Sequence, residues 1–308
     1  MGDMTTIQIL MGVHKGEAFL PAQLQSLRHQ TDADWQLLAS DDSPDADSRT
    51  ILNAFSQETH QDVQIIDGPK QGFSANYLHL LRKAETGFLA LSDQDDVWLP
   101  EKIARGRAIL SQVPANKPAL YCARVQPWDG IKTLGQPFPP LRQPTGFANA
   151  LIENVAVGNT ILLNPAATAL AKEMARRPLK LFAHDWWLYL LVSGVGGAVI
   201  HDNGPPVVMY RQHDANIVGD GRGIPSQIKR KRAVLEGAFA ERISMNLDAL
   251  DLTRDRLVPD NARLLDAFKT ARQKHGFAKA WSMHRIGVYR QRALGTLGFL
   301  GAAALGRV

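Results

Sequence analysis

The sequence predicts an α/β fold, a mainly parallel sheet flanked by helices, with a basic helical extension at its C-terminal side. Three observations carry this expectation. Strand-like apolar runs alternate with amphipathic helical runs through the first hundred residues, joined by short loops. Acidic clusters follow two of those strands directly, where such sheets place their ligands. From Pro225 onward the pattern is helical only, and the charge changes sign. Residues 1–221 hold 18 basic and 23 acidic side chains, and residues 222–308 hold 17 and 7. The chain therefore divides into an α/β domain, 1–221, and a basic helical region, 222–308, with the boundary near the glycines of 219–224.

Each element has its signal. Ile7–Val13 reads as a buried strand, and Phe19–Arg28 as a helix with Leu20, Leu24 and Leu27 at helical spacing. Trp35–Ser40 is a second strand, ended by Asp41-Asp42-Ser43-Pro44. A helix over Ser48–Thr59 and a strand over Val63–Ile66 follow. Phe73–Ala84 is helical, with Tyr77, Leu78, Leu81 and Ala84 on one side, and Phe88–Leu91 is a strand running into Ser92-Asp93-Gln94-Asp95-Asp96. The five prolines of Pro127–Pro144 mark a loop. Helix over Thr145–Asn154, strand over Val155–Leu163 and helix over Pro165–Arg176 come next, the last with proline at its start. His184 to about Val195 is a helix, with short strands near Ala198–His201 and Val207–Tyr210. In the C-terminal region Ile228, Leu235, Phe239, Ile243, Leu247 and Leu250 form an amphipathic stripe opened by four cations, Lys229–Arg232. Helices over about Asn261–Lys274 and from Ala278 follow.

Composition narrows the function classes. The 308 residues are 45% hydrophobic and 21% charged, which is globular and long enough for one or two domains. The single cysteine, Cys122, excludes an intramolecular disulfide framework and a multi-cysteine zinc site, and fits a reducing compartment. Met1–Val13 has no cationic start and no small-residue cleavage site, so no secretory signal is read. Ala293–Gly306 is uncharged but shorter than the roughly 20 residues of a spanning helix, so an interfacial or buried segment is expected. No glycine-rich phosphate loop follows the first strand, which disfavours ATPase and dinucleotide readings.

Asp93-Gln94-Asp95 is an Asp-x-Asp element at a strand end. Alternate residues on extended backbone point the same way, so both carboxylates can face one ligand. Carboxylate oxygens suit Mg²⁺ or Mn²⁺, which bridge and neutralise phosphates. The competing reading is solvated turn carboxylates, and the placement after a strand, with a second acidic pair after another, favours the first.

These residues resemble a family 2 glycosyltransferase of the GT-A fold, in the rhamnosyltransferase-like subgroup. The likeness runs through Gly16-Glu17-Ala18-Phe19-Leu20, Ser40-Asp41-Asp42-Ser43 and Gly72-Phe73-Ser74-Ala75-Asn76-Tyr77. It continues through Ser92-Asp93-Gln94-Asp95-Asp96-Val97-Trp98, His184-Asp185-Trp186-Trp187 and Tyr210-Arg211-Gln212-His213, so it covers about residues 6–221. Ser43-Pro44 stands where the family often has Gly-Ser, and Val13-His14-Lys15 where many members have Thr-Tyr-Asn.

The resemblance implies an inverting, metal-dependent glycosyltransferase of cell-surface polysaccharide synthesis, using Mg²⁺ or Mn²⁺. Its donor would be a nucleotide-sugar such as dTDP-L-rhamnose, and its acceptor a glycan or lipid-linked glycan. Asp41 and Asp42 would hold the base and ribose, with Asn76 lining the same pocket. Asp93 would contact the ribose or sugar, and Asp95 the metal. His213 would approach the metal or diphosphate, and Arg211 would offset phosphate charge. Asp185 would be the general base, although it also suits a helix N-cap. Trp186 and Trp187 would wall the acceptor site, with only one of them facing it because helix neighbours point about 100° apart. Asn159 is the further acceptor-side candidate. The alternatives are the same fold using UDP-glucose or UDP-galactose, or a non-catalytic glycan- or membrane-binding module.

The basic region has three readings: packing on the catalytic domain, docking on an anionic membrane surface, or nucleic-acid binding. Scattered aromatics and the lack of a binding motif disfavour nucleic acid. Membrane docking is favoured, combined with packing, with Leu294, Leu297, Phe299, Leu300 and Leu305 at the interface. The expected location is cytoplasmic, peripheral on the cytoplasmic face of the membrane.

Overall fold

The computed structural model describes residues 6–85, 87–212 and 238–308. A seven-stranded sheet forms its centre, in the order β3-β2-β1-β4-β8-β6-β9. The strands are β1 (Ile7–Val13), β2 (Trp35–Asp41), β3 (Val63–Asp67), β4 (Phe88–Asp93), β6 (Ala119–Ala123), β8 (Leu162–Leu163) and β9 (Ala198–Asp202). All neighbours pair in parallel except β8, which runs antiparallel to β4 and β6. A second sheet of β5 (Val97–Trp98), β7 (Val125–Trp128) and β10 (Val208–Arg211) has β10 in the middle. The mainly parallel sheet with helices on both faces is the predicted fold class.

Side-chain alternation along β1 builds two cores. Ile7, Ile9, Met11 and Val13 pack with Leu20, Leu24 and Leu27 of α1 (Leu20–Arg28) and with Leu52 and Phe55 of α2 (Asp47–Glu58). Leu10 points the other way, toward Tyr77, Leu78 and Leu81 of α3 (Phe73–Lys83), and toward α6 (Pro165–Ala175) and α7 (His184–Gly194). The register aligns the carboxyl ends of the central strands: Gly12 lies opposite Asp93, and Val13 opposite Asp41. Three chain turns therefore gather at one edge of the sheet, and the site forms there.

Several expectations shift. The Val155–Leu163 run pairs only at β8, because Gly158–Thr160 bends into a 3-10 turn, with the Thr160 hydroxyl donating back to the Val157 carbonyl and the Asn159 amide reaching across to Asp96. The helix expected over Thr145–Asn154 shortens to α5, Phe147–Ala150. Pro127–Pro144 begins inside β7 before becoming irregular. α4 (Lys102–Leu110) forms where the sequence carries no strong periodic signal.

The C-terminal helices are α8 (Ala238–Leu252), α9 (Pro259–Gln273), α10 (Gly276–Arg285) and α11 (Ala293–Ala304). The expected boundary near 219–224, the Lys229–Arg232 cations and the start of the stripe lie outside the described residues. Ile243, Leu250, Phe268 and Phe299 are buried in the same core as α3, α6 and α7, so the described helices pack on the α/β unit. The Asn261 amide donates to the carbonyls of Ser193 and Gly194 at 3.0 Å each, which caps the end of α7. Among the described residues no helix is long and apolar enough to cross a membrane.

Candidate active site

A cleft of about 1840 Å³ opens along the carboxyl ends of β1, β2 and β4 and continues between α7 and α11. Asp42, Asn76, Asp93, Asp95, Asp185 and Trp186 line it. Among the predicted site residues, those six are brought together.

The loop after β4 is anchored from several sides. Gln94 donates to the His14 carbonyl at 2.9 Å and accepts from the His14 amide at 2.8 Å, which locks it to the loop after β1. Tyr77 Oη lies 2.6 Å from the Ser92 carbonyl and 2.9 Å from Asp93 Oδ1. Burial first, and then the neighbouring Asp95 carboxylate, raises the Asp93 pKa to about 7. Lys102 is fully buried nearby, its Nζ 3.1 Å from the centre of the Trp98 ring, and burial pushes its pKa well below the usual lysine range.

Two crowded carboxylates at a cleft wall are the setting a divalent cation relieves. No group of three or more His, Cys, Asp or Glu is close enough to hold an ion among the described residues. One or two protein carboxylates completed by substrate phosphates is ordinary Mg²⁺ chemistry, so Asp93 and Asp95 fit. His213 lies outside the described residues.

Asp185 sits in the first turn of α7, two residues after the cap residue Ala183, with Oδ1 accepting from the Trp186 amide at 2.6 Å. Loss of water on burial raises its pKa to about 6, against hydrogen bonds that hold it down. A carboxylate tuned this way is ionised at neutral pH yet basic enough to take a proton. Trp186 borders the cleft, with its indole N–H donating to the Ala150 carbonyl at 2.7 Å.

The structure gives four predicted residues other positions. Asp41 is buried beside the cleft: Oδ1 accepts from the Ser43 amide at 3.0 Å, and Oδ2 lies 3.7 Å from Arg49 Nε. Arg211 holds the Asp-x-Asp loop from behind, its Nε donating to the Asp95 carbonyl at 2.7 Å and its guanidinium lying over the Phe19 and Trp128 rings. Committed there, it does not line the cleft. Trp187 is 1% exposed and in the core, turned about 100° around α7 from the cleft-lining Trp186 as expected of helix neighbours. Asn159 donates to the buried Asp96 carboxylate instead of facing an acceptor. Asp96 also accepts from the Arg211 amide at 2.9 Å, so it ties β10 and the 3-10 turn to the Asp-x-Asp loop. Asp96→Ala would strand two buried donors. It is expected to lower unfolding free energy by about 2–4 kcal/mol in urea titration, with Asp96→Asn costing less. Equal stability of the alanine variant would contradict this account of the loop.

Sequence reasoning also missed Tyr77, Gln94, Lys102 and His184. Tyr77, Gln94 and His184 stand inside quoted motifs, but no spacing rule assigns them a partner; the contacts span 16 residues for Tyr77, 80 residues for Gln94 and an α3–α7 packing for His184.

Residues 8–123 match the family described as Glycosyl transferase family 2. The chain is 24% identical over 251 residues to the dTDP-rhamnosyl transferase RfbG of Shigella flexneri, across 78% of this chain and 84% of that protein. Its fold is similar to S. aureus TarS 1-349 in complex with UDP-GlcNAc, with TM-score 0.57 and 13% identity, covering 98% of this chain and 89% of that one. It is also similar to the mannosyltransferase PcManGT from Pyrobaculum calidifontis in complex with GDP-Man and Mn²⁺, with TM-score 0.50 and 14% identity, covering 99% and 88%.

Proposed function

We propose that this chain, whose residues 8–123 match glycosyltransferase family 2, is an inverting, metal-dependent glycosyltransferase of the GT-A fold that moves a sugar from a nucleotide-sugar to an acceptor hydroxyl. The observation that carries this reading is one cleft holding the Asp93/Asp95 pair and, across from it, Asp185 with its pKa raised to about 6. The likeness to a protein named dTDP-rhamnosyl transferase supports dTDP-L-rhamnose as the donor.

Asp185 takes the proton of the acceptor hydroxyl. The acceptor oxygen then bonds the anomeric carbon as the bond from that carbon to the diphosphate oxygen breaks. The electron pair leaves with the nucleoside diphosphate, and a single displacement inverts the anomeric centre. A Mg²⁺ or Mn²⁺ ion held by Asp95 with Asp93 would neutralise the departing diphosphate. Asp42 and Asn76 border the nucleotide end. Asp42 also fixes that wall, since its Oδ1 accepts from the Lys70 amide and a Cβ at Gly68 would collide with it. The test is release of nucleoside diphosphate from dTDP-rhamnose, UDP-glucose and UDP-galactose with and without Mn²⁺. No release from any of them would overturn the proposal.

The acceptor arm of the cleft supports an amphiphilic, lipid-linked acceptor. Phe182, Trp186, Phe239 and Phe299 line it, the glycine face of α11 (295, 298, 301) forms one wall, and Arg242, Arg290 and Arg307 stand at its border. On the outer side of α10 and α11, Phe277 is 89% exposed, Trp281 63% and Leu294 82%, beside Arg285 and Arg292. Such a ridge suits the interface of an anionic membrane. The protein is expected to pellet with phosphatidylglycerol vesicles at low salt and to release at high salt. Phe277→Ser with Trp281→Ser is expected to cut pelleting at least fivefold, and unchanged pelleting would contradict the docking role. These two side chains are outside the core, whereas deleting the helices would remove the buried Met283 and Phe299.

A further inference from the structure

We infer that the attacking hydroxyl is seated over Gly158, between the carboxylate of Asp185 and the imidazole of His184, and that His184 positions it. This rests on the reading of Asp185 as the general base.

His184 opens α7 and is 3% exposed. Its ring stacks on Tyr77 with centroids 3.7 Å apart and planes 13° apart, and Phe73 meets it edge-on at 5.6 Å. Neither ring nitrogen has a hydrogen-bond partner in the protein. Buried polar atoms without partners are uncommon and destabilising. A phenyl ring would fill this slot, keep the stacking and carry no such cost, so packing does not account for the imidazole. Its nitrogens serve something that enters the cleft, which His184 lines. Burial holds its pKa down to about 3, so at neutral pH the ring is uncharged, with one nitrogen donating and one accepting.

Gly158 marks where that partner sits. A Cβ at this position would lie 3.4 Å from His184 Nε2 and 3.5 Å from Asp185 Oδ2. Gly158 is not among the positive-φ glycines, so backbone conformation does not require a glycine there. The missing side chain leaves open a space that touches both polar atoms. A hydroxyl there can donate to Asp185 and accept from the Nε2–H of His184. Such a hydroxyl is held with its proton on the base and its oxygen lone pair fixed, as a nucleophile in displacement needs.

The test uses the full chain with Mn²⁺ and whichever of dTDP-rhamnose, UDP-glucose and UDP-galactose it turns over, with water as the nucleophile when no acceptor is added. Nucleoside diphosphate affinity is measured by calorimetry, and Tm by thermal denaturation. His184→Phe is expected to raise Tm, keep nucleoside diphosphate affinity within twofold, and lower kcat at least tenfold. His184→Gln, which restores a donor, is expected to recover part of kcat. Gly158→Ala fills the seat with ordinary contacts, and is expected to lower kcat with Tm unchanged. His184→Phe with kcat within twofold of wild type would overturn the inference, as would a joint fall in its Tm and nucleotide affinity. If Asp185→Asn is inactive while His184→Phe is fully active, the seat is wrong and the base stands. If Asp185→Asn is fully active, or the wild type releases nothing from any donor, the functional reading fails and the seat fails with it.

Discussion

Asp185→Asn is expected to lower kcat for sugar transfer on the order of 10²–10⁴-fold, the usual scale for a lost general base. Nucleotide-sugar affinity should stay close to wild type, because the amide keeps the volume and the hydrogen bond from the Trp186 amide. The pH profile carries the same assignment. The carboxyl's pKa is raised to about 6, and only its ionised form accepts a proton. The wild-type rate should therefore rise about tenfold per pH unit below 6 and level off above it. Stability runs the other way. A carboxyl with a raised folded-state pKa favours the folded state when protonated, and that contribution is lost as pH rises through about 6. At pH 7 the ionised group destabilises the fold, so Asp185→Asn should melt higher while losing activity. A flat pH profile between 5 and 7, or a lower melting temperature with full activity, would contradict the assignment.

Asp95→Ala is expected to lower turnover at least about 10²-fold, because the variant leaves the diphosphate's charge without the carboxylate that would anchor its cation. Binding offers an independent readout. Nucleoside diphosphate with Mn²⁺ should raise the wild-type Tm by mass action, and that rise should vanish in the variant. Chelation should have the same effect as the substitution, and the two together should do no more than either alone. Equal turnover with and without chelator would remove the metal from the account. Asp93→Asn is expected to be milder in Tm, since the neutral amide escapes the cost of burying a charge, and then the Asp95 repulsion, that together raise the carboxyl's pKa to about 7.

Much of this was legible in the residues. The parallel order of β1 to β4 follows from apolar runs separated by amphipathic helices, and their ends fell within a few residues of expectation. Asp93 and Asp95 line one cleft as their spacing suggested, although β4 ends at Asp93 and a turn over Gln94-Asp95, not extended backbone, brings them there. The motif around Asp185 also placed that residue at the cleft. Other features depend on distant chain meeting distant chain. Arg211 follows a strand and looks free to reach a phosphate, but the pairing of β10 with β7 brings it under Trp128 and commits it to the Asp95 carbonyl. Asn159 looks like strand, but its amide answers Asp96, 63 residues earlier. His184 shows no peculiarity in sequence, because its unpartnered nitrogens exist only once α3 and α7 pack. The charge division at residue 221 pointed to two units, yet the described helices bury Ile243, Phe268 and Phe299 in the α/β core. Net charge reports on surface and partners and says little about which apolar faces meet.

His184 and Asp185 share one pattern. Each stands at the cleft at a cost to the fold, one as a polar ring without partners and one as a desolvated carboxylate.

The measurement closest to the central claim is release of nucleoside diphosphate from dTDP-rhamnose with Mn²⁺, followed side by side for the wild type and Asp185→Asn, with binding of the same nucleotide-sugar measured on both. The expected result is release by the wild type alone, with equal binding by the two proteins. Equal release by both would contradict the account, as would binding without release by the wild type across the whole donor panel.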